Sequence, residues 1–242
     1  MPISDRALRL IIDFEGINQP GAWPGASSGI TLGYGYDLGH VTPEQFERDW
    51  GACFTPEQKA RLRGAIGKTG PAAAALAPQL ADIKCNRADS ARVLSEVSIP
   101  DYLERTRAAF PGLEALPPDA QGALVSLVYN RGPGMTGDSR REMRTIRALV
   151  PLGDLPGIAR ALREMKRLWE GKGLAGLLRR RDAEASLIEM AMAPVARRLR
   201  RAAATVMPGA AAKKAGARKT AAGKSAAKKA PARKTAAKQG VA

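Results

Sequence analysis

Only one stretch of this chain carries strand chemistry, and that limits its fold more than any other feature. In Ile30-Thr31-Leu32-Gly33-Tyr34-Gly35-Tyr36-Asp37 the alternation puts Thr31, Gly33, Gly35 and Asp37 on one face and Leu32, Tyr34 and Tyr36 on the other. The other periodic segments have helical spacing, at approximately 57 to 65, 88 to 108, 118 to 130, 138 to 149, 155 to 168 and 176 to 200. Thr42-Pro43-Glu44-Gln45 and Thr55-Pro56-Glu57-Gln58 each join a cap, a first-turn proline and a glutamine able to close a capping box, so both read as helix starts. With no second block of strands, the expectation is an α+β chain, mostly helical, with one small β region near the N-terminus. Residues 1 to 195 are long enough to bury a single core.

The segment before that strand carries the first candidate for chemistry. Ser4 can cap a helix from Asp5 onward, and Ala7, Leu8, Leu10, Ile11, Ile12 and Phe14 follow before Gly16 offers a stop. At 100° per residue Glu15 falls between Leu8, Ile11 and Ile12, whereas Asp13 points to the opposite side. Partial burial and the negative helix end both disfavour a carboxylate, so an upward pKa shift is expected, which suits a general acid. The alternative is a structural glutamate bonded to an arginine or a backbone amide.

Asp37 is the second acid, with Thr31 six residues before it. Gly33 and Gly35 leave their face bare, which would let a sugar ring approach the backbone. Six extended residues span about 20 Å, too far for Thr31 and Asp37 to serve one carbon atom, so joint action requires a bend at the glycines. A glycine-rich hairpin ending in a solvated aspartate is the other reading. A phosphate loop fits the spacing less well still, since Gly33, Gly35 and Gly39 miss GxGxxG and Leu38 stands where the third glycine belongs.

Taken together, Glu15-Gly16 and Gly29-Ile30-Thr31-Leu32-Gly33-Tyr34-Gly35 resemble the catalytic signature of phage-type lysozymes, glycoside hydrolase family 24. The segment QGALVSLVYNRG (121–132) is similar to that family's central helix with its aromatic-Asn-x-Gly turn, and GLAGLLRRRDAE (173–184) resembles its late GLxxRRxxE segment. The resemblance covers most of residues 5 to 192 and implies a lysozyme-like fold. One departure is that Trp23, Pro24, Gly25 and Ala26 occupy the region where common members carry an Asp or Cys before the threonine. The order Glu, Thr, GYGYDLG instead resembles the branch with the bacteriocin pesticin and many endolysins. Its catalytic trio would map onto Glu15, Thr31 and Asp37. The histidine often found after the TxGxG run is Tyr36 here, so His40, the only histidine, is expected to be a hydrogen-bonded structural residue at a loop-to-helix junction.

The resemblance implies an N-acetylmuramidase cleaving the MurNAc to GlcNAc bond of peptidoglycan. Glycosidic cleavage needs an acid for the leaving oxygen and a carboxylate that either attacks the anomeric carbon or activates water. Glu15 takes the first role, Asp37 would activate or position water, and Thr31 would help hold it. Tyr34, Tyr129, Asn130 and Arg131 are candidates for lining the glycan groove. Asn130 to Gly134 also fits a plain helix C-terminus. The run Arg179-Arg180-Arg181 reads mostly as a solvated face, with one arginine open to pairing with Glu184 or a carboxylate of the site. No metal or organic cofactor is implied, and a monomer is expected.

Composition changes sharply near the end of the chain. Residues 196 to 242 read as the end of the last helix followed by a basic Ala/Lys/Arg-rich tail. From Ala202 onward there are ten basic residues, no acidic one and no aromatic, so the tail should be disordered in isolation. The whole chain carries +16, and removing the tail's ten positive charges leaves +6 on residues 1 to 201. Such a polycation suits anionic envelope polymers or nucleic-acid phosphates, or serves only as a solubilising appendage.

The first apolar cluster is broken by Asp5, Arg6, Arg9 and Asp13, so neither a signal peptide nor a membrane span is expected. Synthesis in the cytosol, with release to the wall by a holin or secretion machinery, is the reading that follows. Cys53 and Cys85 suit a protein stored reduced. A lytic transglycosylase, which needs no Asp37, and an inactive lysozyme-like domain in a nucleic-acid-binding protein are the competing functions.

Overall fold

The computed structural model describes residues 3–206, with side chains from 3 to 192. The chain is mostly helical with one two-stranded antiparallel sheet near its N-terminus, as the patterning predicts. Helix α1 (Asp5–Glu15) starts where Ser4 accepts a hydrogen bond from the Ala7 amide, and Gly16 ends it. Ala7 and Ile11 are fully buried and Asp13 is exposed, as the stripe requires. Strands β1 (Thr31–Leu32) and β2 (Tyr36–Asp37) pair with Thr31 opposite Asp37 and Leu32 opposite Tyr36. Helices α2 (Pro43–Trp50) and α3 (Pro56–Arg63) follow, each closed by the complete capping box expected of Thr42/Gln45 and Thr55/Gln58.

The short helix α4 (Gly70–Leu76) has no counterpart in the patterning. Its sequence GPAAAAL contains no polar position, so no period can be read from it. The pattern over 88 to 108 resolves into α5 (Arg87–Val93), a π-helical turn over Leu94–Ser98, and α6 (Ile99–Ala109). Then come α7 (Pro118–Arg131), α8 (Arg141–Leu149), α9 (Leu155–Glu164) and α10 (Ala175–Val206). Helix α10 extends four residues beyond Ala202, into the stretch expected to be disordered. The remainder of that stretch, from residue 207, lies outside the described residues.

Two apolar cores form. One gathers Ile30, Leu32, Tyr36, Phe46, Trp50 and Leu62 around the hairpin, and the other surrounds α7. Every residue of α7 from Asp119 to Val128 is buried, which makes it the axis of the helical core. Val93 belongs to the first core and its neighbour Leu94 to the second, so the π turn lies where a continuous helix passes from one to the other. Helix α1 sits on α7 at Gly122, where an added Cβ would meet the Ala7 Cβ at 2.1 Å. An ion pair from Arg6 to the buried Asp119 holds the same crossing. Glu15 is therefore delivered by the α7 core, and Thr31 and Asp37 by the other.

Candidate active site

Glu15 is partly buried, as the helix geometry predicts, with 19% of its side chain exposed. Its neighbour is a guanidinium: Arg180 Nη1 donates to Glu15 Oε1 at 2.6 Å. Arg180 is itself buried. It also donates to the Ser126 carbonyl at 3.1 Å, to Ser126 Oγ, and to Glu184 Oε1 at 3.3 Å, and its guanidinium lies 5.8 Å from the Phe14 ring centre. Arg181 is fully buried too. It binds Glu184 Oε1 at 2.7 Å and the Asn130 side-chain oxygen at 3.3 Å, and burial pulls its proton affinity down. The expectation that the 179 to 181 run is mostly a solvated face is thus corrected for Arg180 and Arg181. They point inward because α10 turns that side toward α7, where Ser126 of α7 bonds Arg180 and Glu184 of α10 itself neutralises both. Glu15 Oε2 makes no hydrogen bond among the described residues, and the side chain keeps part of its surface exposed.

The hairpin supplies the bend that Thr31 and Asp37 require. Gly33 at φ +57° and Gly35 at φ +100° reverse the chain between the strands, a left-handed geometry that glycine adopts without strain. Thr31 and Asp37 become direct cross-strand neighbours. Residues so paired lie about 5 Å apart at Cα rather than the ~20 Å of an extended chain. Asp37 accepts from the Gly39 amide at 2.7 Å and from the Gly29 amide at 3.0 Å, and 24% of its side chain is exposed.

The glycine face is not bare toward a ligand. A Cβ at Gly33 would meet Ser90 at 2.8 Å, and one at Gly35 would meet the Tyr129 hydroxyl at 2.7 Å. The space serves α5 and α7, which press on the hairpin. His40 stands at the expected junction but is not a bonded structural histidine. It is 68% exposed and its Nε2 lies 3.9 Å from Asp37 Oδ2, because backbone amides already engage that carboxylate.

Of the four groove candidates, Tyr34 is buried, and its carbonyl accepts the Tyr129 hydroxyl proton. Tyr129 thereby straps the hairpin tip to α7. Burial and then the Glu15 charge push its hydroxyl far above the usual tyrosine range. Asn130 faces Arg181, and Arg131 donates to the Ser139 carbonyl at 2.7 Å while its guanidinium lies 4.8 Å from the Trp169 ring centre.

Tyr102 on α6 was not singled out by the sequence. Its ring stacks at 4.2 Å on Tyr129, and Arg105 lies 5.0 Å from its centre. Its hydroxyl is pushed up chiefly by burial, and the charges of both Glu15 and Asp37 contribute to the rise. A single aromatic on a helix has no sequence mark, but the Arg105 three residues later on the same face was a weak one.

The arrangement thus presents a partly exposed glutamate held by one core, and a buried threonine paired with an amide-bound aspartate held by the other. A family model described as Phage lysozyme matches residues 13–184, a span running from just before Glu15 through the hairpin and α7 to Glu184. The chain belongs to the phage lysozyme family. This phage lysozyme relative is accordingly a peptidoglycan hydrolase, a glycoside hydrolase that acts on the bacterial cell wall. No curated protein matches the chain. Among the described residues of this lysozyme there is no group of side chains suited to a metal ion, and no helix is long and apolar enough to cross a membrane.

Proposed function

We propose that the protein is an N-acetylmuramidase that hydrolyses the MurNAc-β-1,4-GlcNAc bond, with Glu15 as general acid and Asp37 as the carboxylate that positions water. The observation that carries this reading is that α7 references both halves of the site. Through Ser126 it holds Arg180 against Glu15, and through Tyr129 it holds the hairpin that pairs Thr31 with Asp37.

Arg180 occupies only Oε1 of Glu15, so Oε2 is the oxygen that would deliver the proton to the departing glycosidic oxygen. The Gly29 and Gly39 amides fix the orientation of Asp37, and its remaining exposed edge faces water. A water between Asp37 and the Thr31 hydroxyl would be aimed at the anomeric carbon, with the carboxylate accepting its proton. Tyr102 and the Asn130 amide would contact the glycan, while Tyr34, Tyr129 and Arg131 act on it by holding the loops that face it. The placement of the acid after the threonine supports the pesticin-like endolysin branch. The reading extends to a monomer used for bacterial lysis once it reaches the wall through a holin or secretion machinery.

Replacing Glu15 with Gln tests the assignment. The fold should survive, because Arg180 keeps its Ser126 and Glu184 contacts, while wall hydrolysis should fall by at least about a thousandfold. Asp37→Asn should be similarly impaired, with unchanged circular dichroism. Near-normal hydrolysis by either folded variant would remove that residue from the mechanism.

A further inference from the structure

The basic tail contains a tandem duplication. The segment AAKKAGARKTAA (211–222) recurs fifteen residues later as AAKKAPARKTAA (226–237), with Pro231 in place of Gly216 the sole difference. Each fifteen-residue unit, 211–225 and 226–240, holds five Lys or Arg residues, and together they account for all ten tail cations. Within each unit four of the five cations fall in doublets five residues apart, Lys213-Lys214 then Arg218-Lys219, and Lys228-Lys229 then Arg233-Lys234, with Lys224 and Lys238 single near the unit ends. Between them stand Ala, Gly, Pro and Thr, which offer neither an apolar surface to bury nor an aromatic face to stack on a base. What the duplication preserves is therefore the spacing of the charge doublets. A linear polymer bearing phosphates at intervals is the chemical complement of such a segment.

The duplication is separable from catalysis. The family match ends at Glu184, before either unit begins. Helix α10 carries Arg180 near its start and runs to Val206, about 39 Å further along at 1.5 Å per residue. The two units follow that helix in the sequence. We propose that 211–225 and 226–240 are two equivalent, serial binding modules for a phosphate-bearing polymer of the bacterial envelope, such as teichoic acid or lipopolysaccharide, that hold the hydrolase beside its wall substrate. Nucleic acid shares the phosphate but offers no gain to an enzyme whose substrate is peptidoglycan. This goes beyond the muramidase assignment and requires only that the wall be the substrate.

The test compares the full chain with two variants: one lacking residues 226–240, and one with Lys213, Lys214, Arg218, Lys219 and Lys224 all changed to Gln. Binding is measured against salt on four probes: sacculi bearing teichoic acid, the same sacculi stripped of it, lipopolysaccharide vesicles, and random-sequence duplex DNA. Stripped sacculi should lose the tail-dependent part of binding, and whichever of the two envelope phosphates is held tighter identifies the source. Each variant should lose about half of the salt dependence and at least about tenfold in affinity, the two agreeing within about twofold. Hydrolysis of soluble peptidoglycan fragments should not change. Unequal losses, no loss, or tighter binding to DNA than to either envelope probe at equal salt would overturn the proposal. A full chain that binds as described yet hydrolyses no fragment would leave the modules standing and count against the muramidase reading instead.

Discussion

Arg180 is the residue on which the acid half of the site depends. It is buried and bonded to Glu15, Ser126 and Glu184, so its loss would leave Glu184 only its Arg181 and Ser126 contacts and Glu15 without its orienting partner. Arg180→Gln should cost about 3 kcal/mol, the usual effect of breaking a buried ion pair from one side, read as a lower denaturant midpoint. Arg180→Lys keeps the charge but cannot reach Glu15 and Ser126 together, so its stability should fall between the two while wall hydrolysis stays low. The sequence offered Glu15 as a candidate because its helical phase is readable from Leu8, Ile11 and Ile12. The inward turn of Arg180 and Arg181 was hidden, since three consecutive arginines resemble a solvated face until α10 is seen against α7. His40 shows the converse. Its place at a junction was legible, but its lack of a hydrogen bond depended on amides from Gly29 and Gly39 that no spacing reveals.

At the scale of elements, the hairpin and α7 act as one unit through Tyr129. Gly35→Ala would place a Cβ at φ +100° and 2.7 Å from the Tyr129 hydroxyl. We expect a loss of about 2 kcal/mol together with reduced hydrolysis, because the reversal that pairs Thr31 with Asp37 is strained. Tyr129→Phe removes the clashing oxygen but not the backbone strain. Gly35→Ala should therefore cost less in that background, and a double-mutant cycle with additive effects would show that the two residues are not coupled. The need for a bend was legible from distance alone, since an extended chain cannot bring Thr31 to Asp37. What fills the glycine face was not, because Ser90 and Tyr129 lie 57 and 94 residues downstream of Gly33 and Gly35. The π turn between α5 and α6 was equally hidden, as Leu94-Ser95-Glu96-Val97-Ser98 continues an ordinary helical pattern.

At the scale of the molecule, the two cores share a vulnerability to alkali. Burial pushes up the hydroxyls of Tyr36, Tyr102 and Tyr129, three of the chain's four tyrosines, with Asp49 adding to the effect at Tyr36. A group whose proton is held more tightly in the folded state contributes its full stabilisation below the unfolded value, about 10, and loses it as pH rises toward the folded value. Stability should thus be flat up to about pH 10 and then fall, with most tyrosinate absorbance appearing together with unfolding in both cores. Gradual ionisation of all four tyrosines near pH 10 without unfolding would contradict this packing.

The central claim joins the two cores into one hydrolytic site, and the products of wall digestion test it most directly. Mass spectrometry of peptidoglycan digested by the full chain should show muropeptides ending in a reducing N-acetylmuramic acid, with none from the Glu15→Gln protein. Fragments ending in 1,6-anhydro-muramic acid, or in a reducing N-acetylglucosamine, would contradict hydrolysis of the MurNAc-β-1,4-GlcNAc bond by a Glu15-led mechanism.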